Sequence, residues 1–96
     1  MRHVTAIHLV GTENLEHIES LRWYESAGPN SADTGQLMQT TRQGMYDFVK
    51  NGGHAFALNK AKTEYSYLIA VNAHVQYVKT KPDATTSDNL LSLPRY

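Results

Sequence analysis

The sequence of 96 residues contains no cysteine, which excludes disulfide bonds, thiolate metal sites and cysteine nucleophiles. It also has no excess of either charge, because nine Lys and Arg residues balance nine Asp and Glu residues. Proteins that bind nucleic acid through electrostatics normally carry a basic excess, so this balance argues against that class. No apolar run approaches the roughly 18 residues that a membrane-spanning helix needs. The remaining expectation is a small globular domain.

The composition supports that expectation, with 41% hydrophobic and 19% charged residues. The length is enough for one domain, residues 1–96. A domain of this size buries only about 60–65% of its unfolded surface, and its zero net charge gives little protection against association. We therefore expect a homo-oligomer. The first ten residues lack the long apolar region and cleavage site of a signal peptide, so we also expect a cytoplasmic protein.

The distribution of apolar residues and turn formers predicts an α+β fold in the order β-β-α-β-β-β, with a small antiparallel sheet of about five strands. One short helix of about ten residues is predicted, with Thr40 or Thr41 as its N-cap and Asn51-Gly52-Gly53 at its end. Met45, Phe48 and Val49 share one face of this helix. Residues 26–40 are rich in turn formers and are predicted to be an irregular loop. The predicted strands cover residues 3–10, 17–25, 55–58, 65–71 and 75–80.

The C-terminal tail, residues 82–96, combines polar turn residues with Leu90, Leu91 and Leu93. Three leucines within four positions are unfavourable in water, so we expect the tail to dock on the sheet or on a neighbouring subunit. Asp83 and Asp88 are interpreted as turn residues that direct these leucines inward, although the hydroxyl and amide groups around them could also wrap a polar ligand.

The tail also resembles the closing motif of a small family of domains of unknown function, family 3892. The residues that carry this resemblance are Thr80, Asp83, Asp88-Asn89-Leu90, Leu93-Pro94 and Tyr96. The opening strands with Ile18, Arg22 and Trp23, and the short helix closed by Gly-Gly, are similar to that family as well. The resemblance implies a compact α+β domain from bacteria or their viruses, with no general activity attached. By analogy of size and setting, it suggests a bacteriophage anti-defence protein that sequesters nucleotide immune signals.

The five histidines do not form a recognisable metal site. Zinc ligands usually include a close pair, at i, i+2 on a strand or i, i+4 on a helix, and no pair has such a spacing here. The sequence also lacks nucleophile and phosphate-loop motifs, so we expect no cofactor, no metal and no enzymatic activity. The alternative is a small nucleotide hydrolase that uses His8, His17, His54 or His74.

The most suggestive group for ligand binding is Arg22 with Tyr24. On a strand these two side chains share one face, and Trp23 takes the other, where it is interpreted as core. Arginine can fork two hydrogen bonds onto a phosphate, and an aromatic face can stack on a base. We therefore predict a small anionic, nucleotide-like ligand bound at a subunit interface. The predicted ligand-binding residues are Arg22, Tyr24, Lys79, Thr80, Lys81 and Arg95, the last with its neighbour Tyr96.

Three tyrosines on the predicted neighbouring strands, Tyr65, Tyr67 and Tyr77, form the candidate interface. Tyrosine is favoured at interfaces because it buries a large area at low cost in rotamer entropy. Cross-strand pairing within the sheet would explain the same residues. The alternative function is therefore a protein-interaction or inhibitor module that acts through this tyrosine face or through the tail.

Overall fold

The chain forms a six-stranded sheet and one α-helix in a computed structural model that describes residues 1–58, 64–81 and 90–96. The strand order across the sheet is β3-β2-β1-β4-β5-β6. Neighbouring strands are antiparallel, except that β4 runs parallel to β1. The elements are β1 (Arg2–Leu9), a 3-10 helix (Leu15–His17), β2 (Ile18–Ser26), β3 (Asp33–Thr41), α1 (Arg42–Lys50), β4 (Ala55–Leu58), β5 (Tyr65–Asn72) and β6 (Gln76–Thr80).

The α+β class is confirmed, but the count of five strands is wrong, because the described residues contain six. The additional strand is β3, which occupies part of the segment 26–40 that was predicted to be irregular. Its residues 33–39 are all exposed, so neither face shows the apolar alternation by which a strand is recognised in a sequence. Backbone pairing with β2 makes this segment a strand. The turn chemistry that precedes it does form a turn, between β2 and β3.

The sheet has an inner face, which packs on α1, and an outer face on the opposite side. Trp23 lies on the inner face with 8% exposure, which confirms that it is a core residue. Because successive side chains of a strand alternate between faces, Arg22 and Tyr24 lie on the outer face. The core consists of Val4, Ile7, Ile18, Leu21, Trp23, Met45, Tyr46, Ala55, Ala57, Leu68, Val78 and Leu90.

Helix α1 begins and ends where its capping residues predict. The hydroxyl of Thr41 accepts a hydrogen bond from the backbone N–H of Gly44 at 3.0 Å, which satisfies one of the free N–H groups of the first turn. Met45 and Tyr46 are the buried residues of the helix. The helix ends at Lys50, and Gly52 then adopts a left-handed backbone conformation with φ of 96°.

The end of the C-terminal tail completes the sheet beside β1. β1 pairs with β4 only at Arg2 and His3. Further along β1, Ile7 donates its N–H to the Pro94 carbonyl at 3.0 Å and accepts a hydrogen bond from the Tyr96 N–H at 3.2 Å. Leu90 is fully buried in the core, and Leu91 and Leu93 pack against it. Residues 90–96 therefore dock on the sheet of their own chain, whereas residues 82–89 of the predicted tail lie outside the described residues.

Arg42, the first residue of α1, joins three parts of the fold. Its Nε donates to the Gln76 carbonyl at the start of β6 at 3.2 Å. Its Nη1 donates to the carbonyls of Glu16 at 2.6 Å and Ile18 at 3.4 Å, at the start of β2. One guanidinium thus holds β6, the most distant strand from β3, against the 3-10 helix that precedes β2.

A second arginine covers one end of the core. The guanidinium of Arg2 lies between two aromatic rings, 4.3 Å from the ring centre of Trp23 and 3.7 Å from that of Phe48. Burial lowers the pKa of Arg2 below its ordinary value, and attraction to Glu25 opposes this shift. The sandwich fixes Phe48, a helix residue, over the beginning of β1.

We expect Gly53→Ala to destabilise the protein by about 1–3 kcal/mol, because it overpacks this sandwich. A Cβ at Gly53 would lie 2.5–2.6 Å from the ring carbons of Phe48, so the ring must shift from its position against Arg2. Thermal denaturation of the two proteins measures the effect. The control is Gly28→Ala, where a Cβ meets no atom within 4 Å. Equal melting temperatures for the two variants would contradict the expectation.

Candidate functional site

The outer face of the sheet holds Arg22 in a defined position. Its guanidinium lies 3.9 Å from the ring centre of Tyr96, and its Nε donates a long hydrogen bond of 3.4 Å to Oε1 of Gln39 on β3. Neither Nη atom has a hydrogen-bond partner among the residues that the structure describes. The β1 residue opposite Arg22 is Ala6, whose methyl group is too short to cover the guanidinium. Arg22 therefore presents both Nη groups, unpartnered within the described part of the chain, at a half-buried position.

The ring beneath Arg22 is held by three separate hydrogen bonds. The Tyr96 hydroxyl is 2.6 Å from Oγ of Ser20, its backbone N–H donates to the Ile7 carbonyl at 3.2 Å, and its backbone oxygen contacts Nδ1 of His8. Ser20 is on β2, two residues before Arg22, and His8 is opposite Ser20 on β1. Tyr96 is thus a fixed platform for Arg22 rather than a loose terminal side chain.

A row of four rings crosses the outer face next to this platform. In register across β2, β1, β4 and β5, it contains Tyr24, His3, Phe56 and Tyr67. His3 stacks on Phe56 with ring centres 4.8 Å apart and planes at 8°, and Tyr67 meets Phe56 edge-on at 6.5 Å. Nδ1 of His3 is 2.7 Å from the Asp33 carboxylate, which ties the ring row to the start of β3. Phe56 is only 1% exposed, so the accessible part of the row is near Tyr24 and Tyr67.

The predicted ligand-binding residues do not all converge. Arg22 and Tyr24 share the outer face of β2, as predicted. Lys79 also points to the outer face, but β6 is four strand spacings from β2, about 19 Å at the usual spacing. Lys81 follows β6, and its N–H donates to the Tyr67 carbonyl at 2.7 Å, so its position is beside the far end of the ring row.

Two predicted residues lie elsewhere. Thr80 is 7% exposed and opposite Leu68, a core residue of the inner face. Arg95 donates to Glu13 at 2.8 Å and to the Leu93 carbonyl at 2.6 Å, and its backbone lies opposite Ile7, another core residue. We therefore place Thr80 and Arg95 outside the candidate site, which consists of Arg22, Tyr24, His8, Ser20 and Tyr96.

The sequence model of the family described as "Protein of unknown function (DUF3892)" matches residues 3–94. The chain belongs to the DUF3892 family. The match includes the residues of all four strands that carry Arg22 and the ring row. No curated protein matches the chain. No solved structure matches it either. Family membership thus supports the domain as a unit and attaches no activity to the candidate site.

The three tyrosines predicted to form an interface in this DUF3892 domain all point to the outer face, but they do not form one patch. Tyr65 is 45% exposed and meets Tyr67 edge-on, with ring centres 5.5 Å apart. Tyr77 is opposite Val71, four residues beyond Tyr67 on β5. An aromatic surface of two rings, Tyr65 and Tyr67, is therefore separate from Tyr77.

The histidines of the DUF3892 chain are dispersed over the fold. His17 contacts the Thr12 hydroxyl at 3.0 Å, and His54 meets Tyr67 edge-on, whereas His8 belongs to the candidate site. Nε2 of His8 is 3.8 Å from the Glu19 carboxylate. Within the described ranges 1–58, 64–81 and 90–96, no group of three or more His, Cys, Asp or Glu residues could hold a metal ion. The helix in these ranges is too short to cross a membrane.

Sequence reasoning missed two members of this arrangement. His3 is one of the five histidines for which the sequence shows no metal-site spacing, yet it is a stacked ring in the middle of the row. Tyr96 was placed beside Arg95 as a neighbour, yet it is the platform for Arg22. Alternation along an extended chain was the available signal, because Arg95 and Tyr96 must point to opposite sides of the tail.

Proposed function

We propose that this protein is a non-enzymatic binding domain that captures a small anionic, nucleotide-like ligand on the outer face of its sheet, at Arg22. The observation that supports this proposal is the guanidinium of Arg22, which is stacked on a fixed ring and keeps two unpartnered Nη donors among the described residues. A planar fork of donors matches the oxygens of a phosphate, and charge-assisted hydrogen bonds of this kind are about twice as strong as neutral ones.

The position of Arg22 limits the entropy lost on binding. Stacking on Tyr96 and the contact with Gln39 already restrict the side chain, so little rotamer freedom remains to be lost. Partial burial also reduces the competition from water for the guanidinium. Both effects favour an anion at this arginine over an anion at a fully solvated lysine.

Tyr24 favours a ligand that carries a planar group next to its anion. Its ring is on the same face two residues from Arg22, a separation of about 7 Å along a strand, which is comparable to the distance between a phosphate and its base. Tyr24 is half-buried and in register with His3, so its ring has support on one side. A base that stacks on Tyr24 would therefore place its phosphate near the Nη atoms of Arg22.

The proposed mode of action is capture by mass action. A domain that binds a signalling nucleotide without altering it lowers the free concentration of that nucleotide in proportion to the number of sites. The alternative is hydrolysis with a histidine as base, for which His8 is the nearest candidate because it contacts the same platform residue. Recovery of the bound nucleotide after heat denaturation distinguishes the two: an intact nucleotide supports capture, and a product supports hydrolysis.

We expect a nucleotide ligand to raise the melting temperature and Arg22→Gln to abolish that shift. The probes are a panel of nucleoside mono-, di- and triphosphates and cyclic dinucleotides, each at about 1 mM. A ligand at 100 times its dissociation constant stabilises the folded state by about 2.7 kcal/mol, which for a domain of this size is roughly 10–20 °C. Arg22→Lys keeps the charge but loses the planar fork, so we expect about tenfold weaker binding.

The matched control is Lys50→Gln, which removes one positive charge from the exposed end of α1. This variant should bind as the wild type does, because Lys50 belongs to the helix on the inner side of the sheet. Binding that survives in Arg22→Gln, or the absence of a shift with every probe, would contradict the proposal. The melting temperature of Arg22→Gln without a probe shows whether the variant is folded.

A second candidate function is a protein-interaction module, favoured by the edge-on pair of Tyr65 and Tyr67. Tyr65 is one of the few large hydrophobic side chains that are strongly exposed, at 45%. Exposed aromatic pairs of this kind are typical anchors of protein interfaces. This surface is separate from Arg22. If Tyr65→Ser leaves the nucleotide-induced shift in melting temperature unchanged, the two surfaces have different roles.

A further inference from the structure

β3 is an edge strand without lysine or proline, the residues that commonly protect an edge. It is the last strand on its side of the sheet that the structure describes, and its residues 33–39 are all exposed. The opposite edge, β6, is covered in part, because Arg42 donates to its Gln76 carbonyl. The free edge of β3 presents backbone N–H and C=O groups that a further strand can pair with.

The side chains of β3 do not prevent such pairing. No charged residue and no proline occurs from Thr34 to Thr41, although lysine and proline are the residues that commonly block strand addition. Leu37 and Met38 are large hydrophobic residues with exposures of 44% and 47%. Two adjacent large hydrophobic side chains on an unpaired edge favour pairing of this strand with another strand.

One irregularity limits how much of the edge can pair. Gly35 has a φ of 77°, and residues 35–37 together face the single β2 residue Tyr24. Such a bulge bends the strand and interrupts its regular edge. Residues 38–41, by contrast, pair with β2 in one continuous register and form the regular part of the edge.

We propose that β3 pairs antiparallel with β3 of a second copy of this chain, around a two-fold axis normal to the sheet. Residues 34–41 carry no charge that would attract a charged peptide, and antiparallel pairing of this segment with its copy brings together uncharged Thr, Gln, Leu and Met side chains. The zero formal charge of the whole chain removes long-range repulsion between two copies. A two-fold contact is also self-limiting, because the β3 edge of each copy is used up in it.

This pairing has a consequence for the outer face that does not depend on what the face binds. A two-fold axis normal to the sheet leaves the outer faces of both copies on the same side. β2 is next to β3, so the two β2 strands are separated by three strand spacings, about 14 Å. Two copies of Arg22 would therefore lie on one continuous surface.

The test is the molar mass in solution, measured by light scattering on a sizing column from about 5 µM to about 500 µM of protein. We expect the wild type to be a dimer, with twice the chain mass of 10.8 kDa, over the upper part of this range. The double variant L37K/M38K places two lysines on the edge and should be a monomer at every concentration. Met38 is opposite Trp23, and the methylene groups of a lysine can keep that contact, so the variant should retain its fold.

The matched control is Tyr65→Lys, which replaces a residue of equal exposure on β5. It should remain a dimer, and an unchanged far-ultraviolet circular dichroism spectrum should show that all three proteins are folded. A wild type that is monomeric throughout would overturn the proposal. So would an L37K/M38K variant that stays dimeric, and so would a monomeric Tyr65→Lys, which would assign the interface to the tyrosines.

Discussion

Leu90→Ala should lower the free energy of unfolding by about 2–5 kcal/mol, which is the range for truncating a fully buried leucine. Leu90 is 0% exposed and belongs to the same core as residues from both the sheet and α1. A domain of 96 residues has a total stability of about 5–14 kcal/mol, so this loss is a large part of it. Chemical denaturation followed by tryptophan fluorescence measures the change, because Trp23 belongs to the same core.

Leu91→Ala is the matched control for this variant. Leu91 is half-buried and packs against the edge of the core, so its truncation removes less buried surface and leaves a smaller cavity. We expect its cost to be less than half that of Leu90→Ala. Equal costs for the two variants, or an unchanged stability of Leu90→Ala, would show that the tail does not contribute to the core in the way the structure shows.

Arg42→Ala should cost about 2–3 kcal/mol through the loss of hydrogen bonds to three backbone carbonyls. Hydrogen bonds that involve a charged group contribute about 1.5–3 kcal/mol each when buried, but the Arg42 side chain is partly exposed and water can replace some of them. Because Arg42 links the start of β6 to the start of β2, we also expect increased hydrogen exchange of the β6 amides. Thermal denaturation together with hydrogen exchange measures both effects.

Arg42→Lys tests whether the fork geometry matters or only the charge. A lysine ammonium can reach one or two of the three carbonyls, so we expect Arg42→Lys to recover less than half of the lost stability. Full recovery with lysine would contradict this role of the fork, because it would mean that a single ammonium group replaces the guanidinium. The positive charge itself cannot explain such a recovery, because a positive charge at a helix N-terminus is unfavourable.

The parts of the fold that depend on local signals could be predicted from the sequence. Thr41 caps α1 because its hydroxyl reaches the N–H of Gly44, three residues along the chain. The inward position of Trp23 and the outward positions of Arg22 and Tyr24 follow from the period of two in a strand. Each of these features is decided within a few residues, so one sequence contains the information.

β3 could not be predicted in this way because its stability comes from a neighbour. Its residues 33–39 are exposed on both faces, so the sequence shows no alternation, and Gly35 adds a turn signal at the bulge. The hydrogen bonds that define it are made to β2. When the spacing of hydrophobic residues is the criterion, a segment of this kind is predicted to be a loop.

The composition of the candidate site was only partly predictable for a related reason. Lys79 and Lys81 are cations, as an anion site requires, and Lys79 lies on the outer face with Arg22. The strand order nevertheless separates both lysines from Arg22 by three intervening strands. That order arises because β1 is central and β4 joins it in parallel, which no short-range pattern indicates. The partner that Arg22 does have, Tyr96, lies far along the chain and meets it only in the folded state.

The pairing of β1 with the C-terminal segment bears on the order in which the parts of the fold form. His8 and Tyr96 are 88 residues apart in the chain, so their contact closes a very large loop. Closing a loop of this length costs conformational entropy, which opposes early formation of the contact. Domains dominated by distant strand contacts fold in milliseconds to seconds. Until that loop closes, the edge of β1 and the apolar side chains around Ile7 remain accessible to water and to other chains. The pairing of Ile7 with the C-terminal segment is thus expected to be the last part of the domain to form.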